Sequence, residues 1–486
     1  MDFSPEAAQV IRELNPWWGA PPVVRPAPPP YRRPLTVELA ARLKSAKGLI
    51  EVVRGPRQVG KTTAIHQIIE ELLAAGIPGT DVLFIRFDLE LLREEAAGLR
   101  GVLRWFASEI RKRPLAEGAP AYLLLDEVHK LRRWSEEVKH AGDTFPLRIL
   151  LTGSSSVLVA RGGRESLAGR AFTTELPPFS FREVVEAWYP EQARGLPGRI
   201  RFADAMDGAL RESAEEIERL HPEHRRSLAE LLERYYNRGG YPRLYGGEVD
   251  DDRWADYLVQ TVFENVLGAD IPDLFPIESP RLLRALYLWI ARHTGTEIAQ
   301  NKVAQELSAA GFATNQPTVG KYMHYLAEAL LVREFRRYPL AKKSSARVPA
   351  KLTLTDLGVR NAILRGAPSL WESDPTILGP LVETLVQACI RDHNLQVHFF
   401  RDFEEKGNRR SPTAEVDFVA ERIDGAVLPV EVKFRRRIAG EDLRGLTVFR
   451  SRFGAGLGVM VTRDQFRWDA AAETLQIPLA AFLLSF

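Results

Sequence analysis

The octapeptide Gly55-Pro56-Arg57-Gln58-Val59-Gly60-Lys61-Thr62 constrains this chain more than any other stretch. It follows an apolar run, Leu49 to Val53, and opens an amphipathic stretch, Thr62 to Leu73. Strand, glycine-bearing loop, Lys-Thr and helix, in that order, read as a phosphate-binding loop rather than an exposed turn. Gly55 and Gly60 let the backbone fold back so that successive N–H groups point inward. The helix that begins there offers its positive dipole end to an anion. Lys61 supplies a point charge for the β- and γ-phosphates of ATP, and the Thr62 hydroxyl a ligand for Mg²⁺. Arg57 and Thr63 belong to the same loop and count as nucleotide contacts.

The run Leu123-Leu124-Leu125-Asp126-Glu127 ends a fully apolar strand with two carboxylates. Side chains at the C-terminal end of such a strand reach the crevice where open α/β sheets bind ligands. Asp126 is placed to hold Mg²⁺ through water and Glu127 to orient the attacking water. Paired acids also serve as dipole partners at helix starts, but the phosphate loop upstream favours catalysis. The next strand, Leu150-Leu151-Thr152-Gly153-Ser154-Ser155-Ser156, ends in hydroxyls. Ser154 reads either as a γ-phosphate sensor or as a helix cap.

At 486 residues the chain is too long for one core. Five segments are expected. Residues 1–34 form a Pro-rich arm, with Trp17 and Trp18 packing on the body or on a neighbouring subunit. Residues 35–180 alternate strands and helices, the pattern of a parallel α/β sheet. Residues 181–275 read as a charged helical lid or linker, 276–356 as a compact α/β unit, and 357–486 as a second α/β region. The net charge of +2 excludes a globally basic chain, so any nucleic-acid contact has to be local. One cysteine, Cys389, rules out an internal disulfide and a thiolate metal site. No apolar run approaches the ~20 residues of a membrane span, and the N-terminus lacks a signal core, so a cytoplasmic protein without a membrane partner is expected.

These motifs resemble a family of bacterial and archaeal ATPases of the AAA+ superfamily that carry a C-terminal nuclease-type domain. The resemblance rests on Gly55–Thr62, on Leu123–Glu127 followed by Val128-His129-Lys130, and on Thr152-Gly153-Ser154-Ser155. It extends to Leu167-Ala168-Gly169-Arg170 before Leu176-Pro177-Pro178-Phe179-Ser180-Phe181. It implies a sheet of order 5-1-4-3-2 and self-association into a ring, hexamer-like, with ATP at subunit junctions. Arg170 matches the family's Gly-Arg and becomes the arginine-finger candidate, with Arg161 and Arg164 as alternatives.

In the middle segment, helices over 281–291 and 298–307 and a turn at 311–315 precede a helix that Pro317 opens. Val319, Met323, Leu326 and Leu330 recur at helical spacing and face a core. Gln316, Thr318, Lys321 and Tyr325 are left outward. An apolar-alternating strand, a basic tip with Lys342, Lys343 and Arg347, and a returning strand at 351–355 complete a winged-helix pattern suited to DNA. In the last segment, Asp417 lies on one strand of a hairpin and Glu431 and Lys433 share a face of the other. Acid followed by Glu-x-Lys resembles the PD-(D/E)xK nuclease core. By that resemblance Asp417, Glu431 and the helix residue Glu383 bind Mg²⁺, and Lys433 assists the attacking water. The insert Glu404–Ser411 bears on access to that site.

The expected fold class is therefore α/β: a P-loop AAA+ parallel-sheet domain, a helical and winged-helix middle, and a restriction-endonuclease-like C-terminal domain. The expected function is an ATP-driven DNA-processing machine, acting on branched or repair DNA such as a Holliday junction by analogy alone. The alternative is a nucleotide switch that assembles a signalling or defence complex and cuts nothing.

Overall fold

The computed structural model describes residues 3–19, 24, 26–45, 50–95, 97–154, 167, 169–339, 350–390, 395–406 and 409–486. The chain forms two compact units, Met1–Pro177 with Asp270–Pro276, and Pro178–Ala269 with Ile277–Phe486.

In the first unit, β1 (Ile50–Gly55), β2 (Val82–Arg86), β3 (Tyr122–Asp126), β4 (Arg148–Ser154) and β5 (Ala171–Glu175) make one sheet. Its order is β2-β3-β4-β1-β5, with every neighbouring pair parallel. That is the expected order read from the other edge. The apolar runs expected of strands covered on both faces are buried along the whole of β3. Helix α2 (Lys61–Ala74) follows β1 and buries Ile65, Ile68, Ile69 and Leu72.

The N-terminal stretch is less of an arm than its prolines suggest. Helix α1 (Pro5–Leu14) is capped by Ser4 and buries Ala7 and Ile11 in this unit's core. Just after it, the chain seals the exposed edge of β2. The Asn15 amide donates to Phe84 O at 2.8 Å and accepts from Phe84 N at 2.8 Å. The indoles of Trp17 and Trp18 donate to Val82 O at 3.1 and 2.9 Å. Side chains thus substitute for a sixth strand and blunt an edge that would otherwise pair with another chain. Trp17 is buried on its own body.

The second unit is built on a nine-stranded sheet of order β13-β14-β12-β11-β10-β9-β7-β8-β6. Its first part contains α3 (Pro280–Arg292), β6 (Thr296–Ile298), α4 (Gln300–Ala309), α5 (Gln316–Glu328), β7 (Val332–Arg337) and β8 (Ala350–Leu354). Strand β8 lies antiparallel between β6 and β7. The second part contains α6 (Pro375–Cys389), β9 (Leu395–Lys406), β10 (Arg409–Arg422), β11 (Val427–Lys433), β12 (Gly458–Thr462), β13 (Arg467–Asp469) and β14 (Thr474–Pro478). Parallel pairing of β7 with β9, Arg336 opposite His398, carries the sheet across residues 354–395 without a break. The strands expected in two separate segments therefore share one sheet.

In α5 the inward set Val319, Met323 and Leu326 is buried, as is Leu330 just beyond it. Tyr325, expected outward, is buried as well; it stacks on Tyr322, with ring centroids 6.1 Å apart, under the Lys321 ammonium. Periodicity put it at the rim of the apolar stripe, and a ring of that size is covered by its neighbours. Lys342, Lys343 and Arg347 lie outside the described residues, as do Arg161, Arg164, Ala168 and the side chains of 404–412. Among the described residues, no helix is long and apolar enough to cross a membrane.

Candidate active site

The loop between β1 and α2 closes in two steps. Gly55 has an ordinary backbone angle, but a Cβ there would lie 2.3 Å from Leu176 O, so only glycine fits against the backbone just after β5. Gly60 adopts φ +94° and Gln58 φ +64°, and these left-handed residues curl the amides inward. Lys61 is buried, with its ammonium donating to Gly55 O and Pro56 O at 2.9 Å each. Burial pulls its pKa down, against the pull of Glu127 and Asp126. A lysine held by two carbonyls of the same loop lies where an incoming phosphate would meet it. Thr62 and Thr63 stand on the first turn of α2.

Asp126 ends β3 almost fully buried. Thr62 Oγ1 donates to its Oδ2 at 2.6 Å, and Thr152 Oγ1 donates to its Oδ1. Burial raises its pKa and the two hydroxyls lower it. Thr152 also accepts the Glu127 N–H at 3.3 Å. Glu127 holds φ +51°, unusual for a residue with a side chain, and keeps its carboxylate partly exposed. His129 Nδ1 lies 3.6 Å from that carboxylate, too far for a good hydrogen bond, and burial dominates: its pKa falls to about 4.

Three contributions were hidden in the sequence. Thr152 contacts the acid; Ser154 pairs in register with Gly55, and its side chain lies outside the described residues. His129 enters the sequence reading only as part of a motif. Asp270 comes from the segment that rejoins the first unit and takes the Arg57 guanidinium in a bidentate pair. Arg57, expected on the nucleotide, has its fork engaged there. Arg170 precedes β5 half-exposed and pairs with Asp143 at 3.0 Å.

The second unit gathers Glu383, Asp417, Glu431 and Lys433, as the hairpin pattern suggested, but with a fifth member. Lys351, from β8, places its ammonium 2.6 Å from Glu383 Oε2 and 2.8 Å from Asp417 Oδ1. Asp417 sits where β10 shifts register against β9, between Val416 and Val419, and its Oδ2 accepts Val432 N–H at 2.9 Å. Glu431 Oε2 accepts Asp417 N–H at 3.2 Å, and its Oε1 pairs with Lys433. Burial opposes the charge of Lys351, yet Asp417 and Glu383 outweigh it and raise its pKa. Burial likewise opposes the charge of Asp417, which the two lysines nevertheless hold low. Burial pushes Glu383 up to about 8 and Glu431 well above its ordinary range. The Lys351 ammonium stands between the expected metal ligands Glu383 and Asp417, and the Lys433 ammonium against the third, Glu431, a donor set that does not fit a divalent ion as it stands. Among the described residues, no three His, Cys, Asp or Glu come together as a metal site.

Residues 47–185 match the family profile described as "AAA domain". That segment has an AAA-type ATPase-like fold. The AAA domain is followed by matches to two domains of unknown function, DUF8612 over 229–369 and DUF4143 over 378–482. Lys351 falls in the first of these and its carboxylate partners in the second. Among curated relatives, an uncharacterized Haemophilus influenzae protein is 21% identical over 64% of this chain and 68% of its own. Two uncharacterized Methanocaldococcus jannaschii proteins are 22% and 26% identical, over 60% and 55% of this chain. The match spans only 57% and 54% of their lengths. Among solved structures, the Walker-type ATPase of Pyrococcus abyssi superposes with TM-score 0.43 at 16% identity, covering 72% of this chain and 99% of that one. The Aeropyrum pernix ORC1 protein, solved in complex with DNA, gives 0.27 at 13% identity over 68% and 90%.

Proposed function

We propose that this chain binds and hydrolyses ATP and uses the turnover to act on DNA. One observation carries the reading: Asp126 is buried between two hydroxyl donors beside a loop whose lysine is held by two backbone carbonyls. Hydroxyl partners leave the carboxylate charge available to a cation, so the donor set fits Mg²⁺, with Thr62 and Asp126 to hold it. Bound there, Mg²⁺ would neutralise charge on the β- and γ-phosphates.

The chain's own residues do the rest. Lys61 leaves the carbonyls of Gly55 and Pro56 for the phosphates, and the loop amides of 55–62 cradle them. Glu127, fixed by its backbone bond to Thr152, orients the attacking water. Arg170 acts on the ATP of a neighbouring subunit in a ring, hexamer-like, and a finger of this kind is worth ~10³-fold or more in turnover. The order α3–β6–α4–α5–β7–β8 fits a winged helix. In this reading α5 enters the major groove with Thr318 and Lys321, while the hairpin meets phosphates.

ATPase assays with no DNA and with duplex, forked and four-way DNA test this reading. Stimulation by at least one is expected; no binding and no stimulation by any would overturn the DNA half. A second reading, a nucleotide switch that assembles a larger complex, is favoured on one point: the C-terminal carboxylates are already engaged by lysines. It predicts ATP hydrolysis that DNA leaves unchanged.

A further inference from the structure

The C-terminal cluster has the residue types of a metal-dependent nuclease, but the oxygens of two of its three acids already accept hydrogen bonds. Both oxygens of Asp417 are bonded, one to the Lys351 ammonium and one to Val432 N–H. Both oxygens of Glu431 are bonded, to Lys433 and to Asp417 N–H. Glu383 faces Lys351. A Mg²⁺ ion demands oxygen ligands at about 2.0–2.1 Å in near-octahedral array. An ammonium between Glu383 and Asp417 takes that point and would repel a dication at close range. Lys351 is 5% exposed, and its ammonium also lies 4.9 Å from the centre of the Phe418 ring, so it is walled in rather than passing through.

From this we infer that Lys351 is the resident cation of the cluster, keeping divalent metal out and tying β8 to α6 and β10. The cluster thus brings three carboxyl groups and two ammoniums together. Its origin matters: Lys351 belongs to the strand that precedes the acidic elements, not to the hairpin that carries them. A second tie runs the same way, with Arg401 of β9 pairing both Glu297 of β6 and Glu415 of β10. The part of the sheet around β6 and β8 is thus fastened to the C-terminal strands by ionic contacts. The C-terminal carboxylates act as the socket of that fastening and not as a phosphodiester-cleaving centre. This inference does not depend on the nucleotide reading, since it concerns a site in the other unit.

Mn²⁺ binding to the full chain without nucleotide, followed by electron paramagnetic resonance with and without duplex DNA, tests it. The wild type and Asp417→Asn are expected to bind Mn²⁺ alike. Lys351→Met is expected to gain Mn²⁺ binding, and Lys351→Met/Asp417→Asn to lose it again. Binding by the wild type that Asp417→Asn removes would overturn the inference whether or not the Lys351 variant folds. So would a folded Lys351→Met that takes up no Mn²⁺, or Mn²⁺-dependent nicking of plasmid DNA by the wild type that Asp417→Asn abolishes.

Discussion

The two acidic clusters of this protein start from the same ingredients and end differently. Each sets carboxylates on parallel or hairpin strands beside a buried lysine. In the first unit, Asp126 is held by the hydroxyls of Thr62 and Thr152, and Lys61 is held by the carbonyls of Gly55 and Pro56. Acid and base stay apart there, each on a neutral partner. In the second unit, Lys351 and Lys433 lie directly on Asp417, Glu383 and Glu431. Acid and base there satisfy one another. Spacing of Asp, Glu and Lys in a sequence does not distinguish a poised site from a neutralised one; the partner of each carboxylate does.

The contrast is broken most directly at Glu127. If the first site is the poised one, Glu127→Gln should lower ATP turnover by ~10²–10⁴-fold while ATP still binds, read by single-turnover kinetics and nucleotide titration. Unchanged turnover would remove the asymmetry between the clusters. Next in size is Lys351→Ala. Removing one partner from a buried ionic group costs about 3–5 kcal/mol, which denaturant unfolding of the second unit should register. Lys351→Met, which keeps the volume, should cost less than Lys351→Ala.

His129 gives the first unit a dependence on pH. Its folded pKa of about 4 lies below its ordinary 6.5, so the unfolded chain takes up the proton first. The stability it contributes is complete above pH 6.5 and is lost as pH falls from 6.5 towards 4. The loss is at most about 3 kcal/mol, and His129→Gln should flatten urea midpoints of the first unit over that window. The smallest effect is expected at Thr152. Thr152→Val deletes one donor to Asp126 and the acceptor of Glu127 N–H, worth about 1–2 kcal/mol, so turnover should fall about tenfold with the fold intact.

Much of the first site was legible because it is local. Loop, lysine and threonine are contiguous, and Asp126 and Glu127 end a strand whose apolar run announces it. What escaped came from far along the chain. Asp270 meets Arg57 across 213 residues of sequence, and Lys351 meets Asp417 across 66. No periodicity encodes such a meeting. Thr152 was missed for a different reason: three serines beside it offered the same chemistry, and only the β3–β4 pairing, Leu125 opposite Leu151, puts Thr152 next to Asp126. In α5, the spacing of apolar residues found the core face but could not foresee that Tyr325 would close over its edge.

The nucleotide unit is not a continuous piece of chain. The polypeptide leaves it at Pro177, returns for Asp270–Pro276 and departs again. An expression fragment ending near residue 177 would retain the complete phosphate loop and strand acids yet lack the counter-ion of Arg57. Its guanidinium would then lack that partner, so nucleotide titrations of such a fragment are expected to differ from those of the intact polypeptide.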